Sequence, residues 1–346
     1  MNDLTIGLLS ALLATNQPLA VSNVIHQQTG VVVPVTADPT ERELHTIMEA
    51  DDLAHDEVSS WISTNTISRT NVLAQTEFNR RIRERFDVVK TDYEHFLRNH
   101  PQHARGYLAY GSFLNDIGDE EGAKVQYENS KQIDPSNPAV WNNLANYYGE
   151  YSPVTNAFAY YAEAIRLAPD EPVYYQNFAT TVYLFRKDAR EFYGLEEQQV
   201  FDKALGLYRQ AMKIAPDNFV LSTDYAESYY GIKPMRTNDA LVAWTNALNV
   251  ASTDAEREGV QLHLARVKIS AGYFDEARAH LAIVTNVNYA ELKRRLEKSL
   301  IDHQFPDTNV VDDVTNSLPA ATDTAPAPTN APPSKLPDRR ILLEAK

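Results

Sequence analysis

Apolar side chains in this chain recur three and four positions apart over most of its length, the period of a helix that buries one stripe. The first such run opens at Asp38-Pro39-Thr40-Glu41, where Asp38 is placed to cap, Pro39 suits the first helical position and Glu41 stands at capping-box spacing. Leu44, Ile47, Met48, Val58, Trp61 and Ile62 then share a face, so the segment 38–66 is predicted to hold an amphipathic helix through about Trp61. From Ile67 to Asn99 there is no Gly or Pro, and Phe86, Val89, Tyr93, Phe96 and Leu97 carry the same period up to a stop at Pro101. Near the other end, Tyr289 to Asp302 sets Leu292, Leu296 and Leu300 on one face and charge elsewhere, as a helix closing a stack requires. The outermost segments read differently. Leu4 to Ala14 is an apolar run of signal-peptide length, too short to span a bilayer, with Asp3 and no basic residue before it. Val21 to Ala37 completes an extended N-terminal segment, 1–37. Pro, Ala, Thr and Asp dominate 303–346, so that tail is expected to be disordered, with Ile341-Leu342-Leu343 as its apolar cluster.

Between these limits the pattern repeats. In Pro138 to Glu171, Trp141, Leu144, Tyr148 and Tyr161 fall where two antiparallel helices would meet. Ala145, Ala157 and Ala164 let the backbones approach, and Pro169 stops the second helix. This stretch resembles one tetratricopeptide repeat (TPR). Ala104 to Asn137 takes the same register with Tyr107, Tyr110, Gly111, Leu114, Ala123, Tyr127, Ser130 and Pro135. Further units fall at 172–218, 219–257 and 258–288, after a partial unit at 67–103. The resemblance implies an all-α chain, an α-solenoid of about five TPR helical hairpins over 67–302, preceded by that half repeat and closed by a capping helix at 289–302. The unit at 172–218 carries an insertion of roughly a dozen residues near Lys187 to Gln199. It is expected as a helical extension that presents Arg186, Lys187 and Arg190 beside Phe192 and Tyr193.

Composition narrows the function. A formal charge of −15 and a pI near 5.0 disfavour a phosphate backbone as partner, so no nucleic acid is expected. The absence of Cys from the 346 residues removes disulfides, thiolate zinc sites and cysteine nucleophiles together, and leaves a cytoplasmic and an exported or periplasmic location equally open. There is no glycine-rich phosphate loop, no G-x-S-x-G and no H-E-x-x-H, so neither an enzyme nor a cofactor is expected. His95, His100 and His103 straddle a helix end at Pro101, where helical ligand spacing fails, so no metal is expected either.

The resemblance places the first helix of each unit along a concave groove. Reading one register across units gives Asn143, Asn177, Asp224 and His263, beside Asn142 and Gln176 at the preceding position. Three positions further lie Asn146, Thr180, Glu227 and Arg266, and Tyr183 and Tyr230 follow as apolar anchors. Amides offer a donor and an acceptor together, which suits an extended peptide main chain. These residues are therefore the expected partner-binding groove for a protein or peptide, facing solvent. The acidic Asp224 and Glu227 near Arg266 point to a ligand that is basic at one end. Two alternatives are an accessory or regulatory subunit of a separate enzyme and a purely structural solenoid. A chaperone-type carboxylate clamp is disfavoured, because Leu108, Ser112 and Val173 occupy positions that need cations or amides.

Overall fold

The computed structural model describes residues 38–65, 72–151 and 153–305, and the expectations for 1–37 and for the tail beyond Phe305 lie outside them. The described residues contain helices and no strand. In chain order the helices are α1 (Pro39–Ser63), α2 (Val72–Asn99), α3 (Ala104–Asp116), α4 (Glu120–Ile133), α5 (Pro138–Glu150), α6 (Thr155–Leu167) and α7 (Pro172–Leu184). They continue as α8 (Arg186–Tyr193), α9 (Glu197–Ile214), α10 (Phe219–Glu227), α11 (Thr237–Val250), α12 (Asp254–Ser270), α13 (Phe274–Ile283) and α14 (Ala290–Gln304). Short 3-10 turns at Ser228–Gly231 and Val287–Tyr289 extend α10 and precede α14. None of these helices is long and apolar enough to cross a membrane.

Local sequence sets where helices begin. Side chains of Asp38, Asp119, Asn137, Glu171 and Asn218 each accept a hydrogen bond from a first-turn amide, and Pro39, Pro138 and Pro172 stand where no amide is needed. At α12 the box is reciprocal: Thr253 accepts from the Glu256 amide, and the Glu256 carboxylate accepts from the Thr253 amide. The helices then pair through small residues. Gly111 on α3 shows the tightness, because a methyl there would stand 2.6 Å from the Tyr127 ring on α4.

The half repeat expected at 67–103 is instead the second arm of a hairpin whose first arm is α1. Leu44 and Val89 are fully buried in one cluster with Phe96, Leu108 and Phe113, so α1, α2 and α3 share a core. The Tyr93 hydroxyl donates to Asp51 at 3.0 Å, and Arg85 Nε donates to Glu57 at 2.6 Å. The sequence division at 66/67 falls between two helices that pack on each other. α1 escaped recognition as a repeat arm because its 25 residues far exceed the 13 of the arms α3, α5 and α7, whereas its apolar stripe is ordinary.

The insertion also departs from expectation. A continuous extension would have lengthened α7 or α9, but Gly194 takes a left-handed conformation (φ 64°) that ends α8. A fresh capping box at Glu196 and Gln199 then starts α9. α8 is a separate helix folded back on the stack: Ala189 is fully buried, and Phe192 and Tyr193 lie 5.4 and 5.6 Å from the Phe158 ring of α6. Arg186 is turned inward, donating to the Tyr183 carbonyl at 3.1 Å, and of the three expected basic residues Lys187 and Arg190 are exposed. The central core runs on through Tyr161, Phe178, Phe201 and Trp244, and a third cluster joins α12 and α13 to α14 through Leu262, Leu281, Leu296 and Leu300.

Candidate functional site

Four first helices, α5, α7, α10 and α12, are joined along one face by polar contacts that pass from each to the next. Asn177 on α7 donates its amide to Asn142 Oδ1 on α5 at 3.1 Å, and Asn142 donates in turn to Asn143 Oδ1 at 3.4 Å. Between α7 and α10, Gln176 Nε2 donates to Asp224 Oδ2 at 2.7 Å. Between α10 and α12, the Tyr230 hydroxyl and His263 Nδ1 stand 3.0 Å apart. A second layer ties these helices to their own partners: Tyr161 of α6 donates to Asn146 Oδ1 at 2.7 Å, and Thr180 and the Tyr208 hydroxyl of α9 share a bond of 2.7 Å. Residues that are far apart in the chain thus form one continuous line, because each hairpin repeats the same register.

The line is less wet than the sequence implied. Asn142 is fully buried, and Asn143, Tyr183 and His263 are also buried. Neighbouring first helices lie close enough for short amides to bond one another, so these four serve the seam instead of facing solvent. Tyr183 packs its hydroxyl against Gly231, where any added methyl would collide with it, and so forms part of the core and not an open anchor. Asn146, Gln176, Asn177, Thr180, Asp224, Glu227, Tyr230 and Arg266 keep partial exposure.

Electrostatics concentrate at the α10–α12 end. Burial pushes the Glu227 carboxyl up to about 8, with the Asp224 charge adding to the rise and Arg266 opposing it. The Arg266 guanidinium lies 4.3 Å over the Tyr230 ring, a cation–π placement that fixes its direction. Burial, then the Arg266 charge, pushes His263 down to about 3, so its imidazole is neutral at ordinary pH and stacks flat on Trp244 with centroids 4.0 Å apart. The result is a half-buried carboxyl whose burial outweighs the nearby Arg266 charge and favours the acid form, beside one that accepts from an amide. Such an arrangement can accept a positive group. No nucleophile with an activating base is assembled here, and among the described residues no three His, Asp or Glu side chains converge as metal ligands.

One feature escaped the sequence entirely. α14 leaves a cleft of about 310 Å³ against α12, floored by Leu262, Ile269, Leu292 and Leu296 and edged by Arg266 and Arg295. The leucine stripe of α14 signalled docking, but the stripe alone did not reveal that Leu292 remains half-buried at an open edge.

No protein-family model matches the chain, and no curated protein matches it. Among solved structures, the C-terminal part of a TPR repeat-containing protein from Cytophaga hutchinsonii superposes with a TM-score of 0.51 at 13% identity, covering 75% of this chain and 98% of that one. PilW, a type IV pilus biogenesis factor, aligns at a TM-score of 0.49 and 13% identity over 68% of this chain and 100% of its own. PilF of Pseudomonas aeruginosa aligns at 0.45 and 14% over 72% and 99%. The first similarity shows the fold, and with the helix order above it gives the described residues the all-α solenoid fold of a tetratricopeptide-repeat protein.

Proposed function

We propose that the chain is a non-catalytic protein-interaction scaffold that holds an extended protein or peptide segment along the face of α5, α7, α10 and α12, with a Lys or Arg of that segment at Asp224 and Glu227. A stacked array places equivalent positions in line, and an extended chain laid along them meets a polar group at each step. The observation that carries the reading is the Glu227 carboxyl, which is raised to about 8 by burial. A cation brought next to it adds to the relief that Arg266 already gives, which favours a basic group at this end. Asn146, Gln176, Asn177 and Thr180 lie further along the line with partial exposure, available to main-chain amides. Each such bond contributes roughly 0.5–1.5 kcal/mol, so affinity is shared among several.

The test is selection of a random peptide library on the full chain, followed by titration of the enriched peptide. Peptides with a Lys or Arg at one fixed position are expected. Asp224→Asn together with Glu227→Gln keeps shape and removes charge, and is expected to weaken the selected peptide at least tenfold, about 1.4 kcal/mol. Enrichment of acidic or purely apolar peptides, or equal affinity for the neutralised variant, rejects the assignment.

A further inference from the structure

We infer that the cleft between α12 and α14 is a docking site for the chain's own segment Arg339–Glu344. The cleft has an apolar floor in Leu262, Ile269, Leu292 and Leu296 and a cationic edge in Arg266 and Arg295. Arg266 also borders Glu227 on α10, so the acidic pair of α10 adjoins the cleft at Arg266, and Arg295 on α14 supplies a second cation to its wall. The sequence Arg339-Arg340-Ile341-Leu342-Leu343-Glu344 carries the complementary order, basic then apolar then acidic. Laid with Arg339 and Arg340 toward Asp224 and Glu227, it sets its leucines on the floor and Glu344 toward Arg295.

Two further points select this occupant. The Leu4–Ala14 segment is comparably apolar but carries no charge to match either end. The tail begins immediately after α14, whose last turn supplies His303 to the cleft wall. A polar connector over 306–338 has a root-mean-square reach of about 30 Å, and tethering at that distance corresponds to an effective concentration on the order of millimolar. A weak contact is enough to populate the docked form. Arg295 is at present engaged by Glu291 at 2.9 Å, an exposed pair that Glu344 can replace at little cost. With Arg339 and Arg340 on the acidic pair, the tail competes with a basic partner, so the docked segment acts as a built-in competitor for the groove. Docking within one chain needs no partner, so it stands or falls separately from the groove reading.

The absence of cysteine makes the test direct. In the full chain, Ser299→Cys on α14 is combined with Ala345→Cys, and in a control with Ala327→Cys. Disulfide formation is followed in dilute protein. An undocked coil closes the shorter loop to position 327 faster. Docking is expected to reverse the order, with the 345 pair closing about tenfold faster than the 327 pair. Arg295→Glu is expected to remove that advantage, and Glu344→Arg added to it to restore the advantage. A faster 327 pair, indifference to the charge swap, or a product cross-linked between two molecules overturns the inference, the last in favour of a second copy.

Discussion

At the scale of single residues, Glu227 is the most informative side chain. Its folded carboxyl titrates near 8, against an ordinary value of 4.5, so the folded state holds its proton more tightly than the unfolded chain does. The stability this gives is complete below about 4.5 and is lost as pH rises through 8. Melting temperature is therefore expected to fall between about pH 4.5 and pH 8, and Glu227→Gln, which cannot lose a proton, is expected to flatten that fall while matching the parent at low pH. Thermal melts at four or five pH values decide it, and parallel curves for the two proteins would discard the assignment. Asn143 and Asn177 carry a different expectation. The sequence presented them as solvent-facing binders, but they end a ladder of amides through the buried Asn142, so changing both to Ala is expected to lower stability by about 1–3 kcal/mol in urea denaturation. That distinction was not legible beforehand, because register tells which helix face a residue occupies and not how near the next helix comes. Polarity and position were readable, and burial was not.

At the scale of elements, the start of α1 was visible in its capping residue and proline, and the hairpins from α3 to α6 follow the signature positions closely. What escaped is instructive. α1 and α8 fall outside the repeat period, so pattern reading set one apart and attached the other to its neighbour. Their packing comes from aromatic contacts formed across long separations, such as His55 with Phe86 at 4.9 Å and Phe192 with Phe158 at 5.4 Å. α8 covers Phe158 with Phe192 and Tyr193, so replacing 187–196 by a short Gly-Ser linker uncovers a core residue. A drop of several degrees in melting temperature is expected, whereas an unchanged value would show that α8 is ornamental. The α1–α2 hairpin has its own pH signature. Burial works to lower the His55 pKa, but the hydrogen bond and charge of Asp51 and the charge of Asp116 outweigh it, so the net shift is upward. Contact stability from His55 is present below about 6.5 and lost above its raised folded value. Amide exchange in α1 is expected to quicken as pH rises through that window more than the intrinsic rate does, and His55→Gln is expected to abolish the excess.

At the scale of the whole molecule, the buried apolar side chains among the described residues form four clusters, of which the three larger follow one another along the stack. A stack held by neighbour contacts loses cooperativity more easily than a single core does. Unfolding followed by probes in different clusters is expected to give separate urea midpoints, with coincident curves indicating one cooperative unit.

Trp244 turns this arrangement into an optical instrument. Its indole lies face to face with an imidazole that stays uncharged down to a pH of about 3. An imidazolium drains indole emission and a neutral ring does so far less, so a Trp61→Phe/Trp141→Phe protein has a single emitter whose brightness is tied to the integrity of the α11–α12 seam. In mild acid its light should hold steady while the seam is closed. Where the seam opens, His263 leaves the indole and the ring meets water, so the emission should shift to the red, marking the point at which α12 separates from α11.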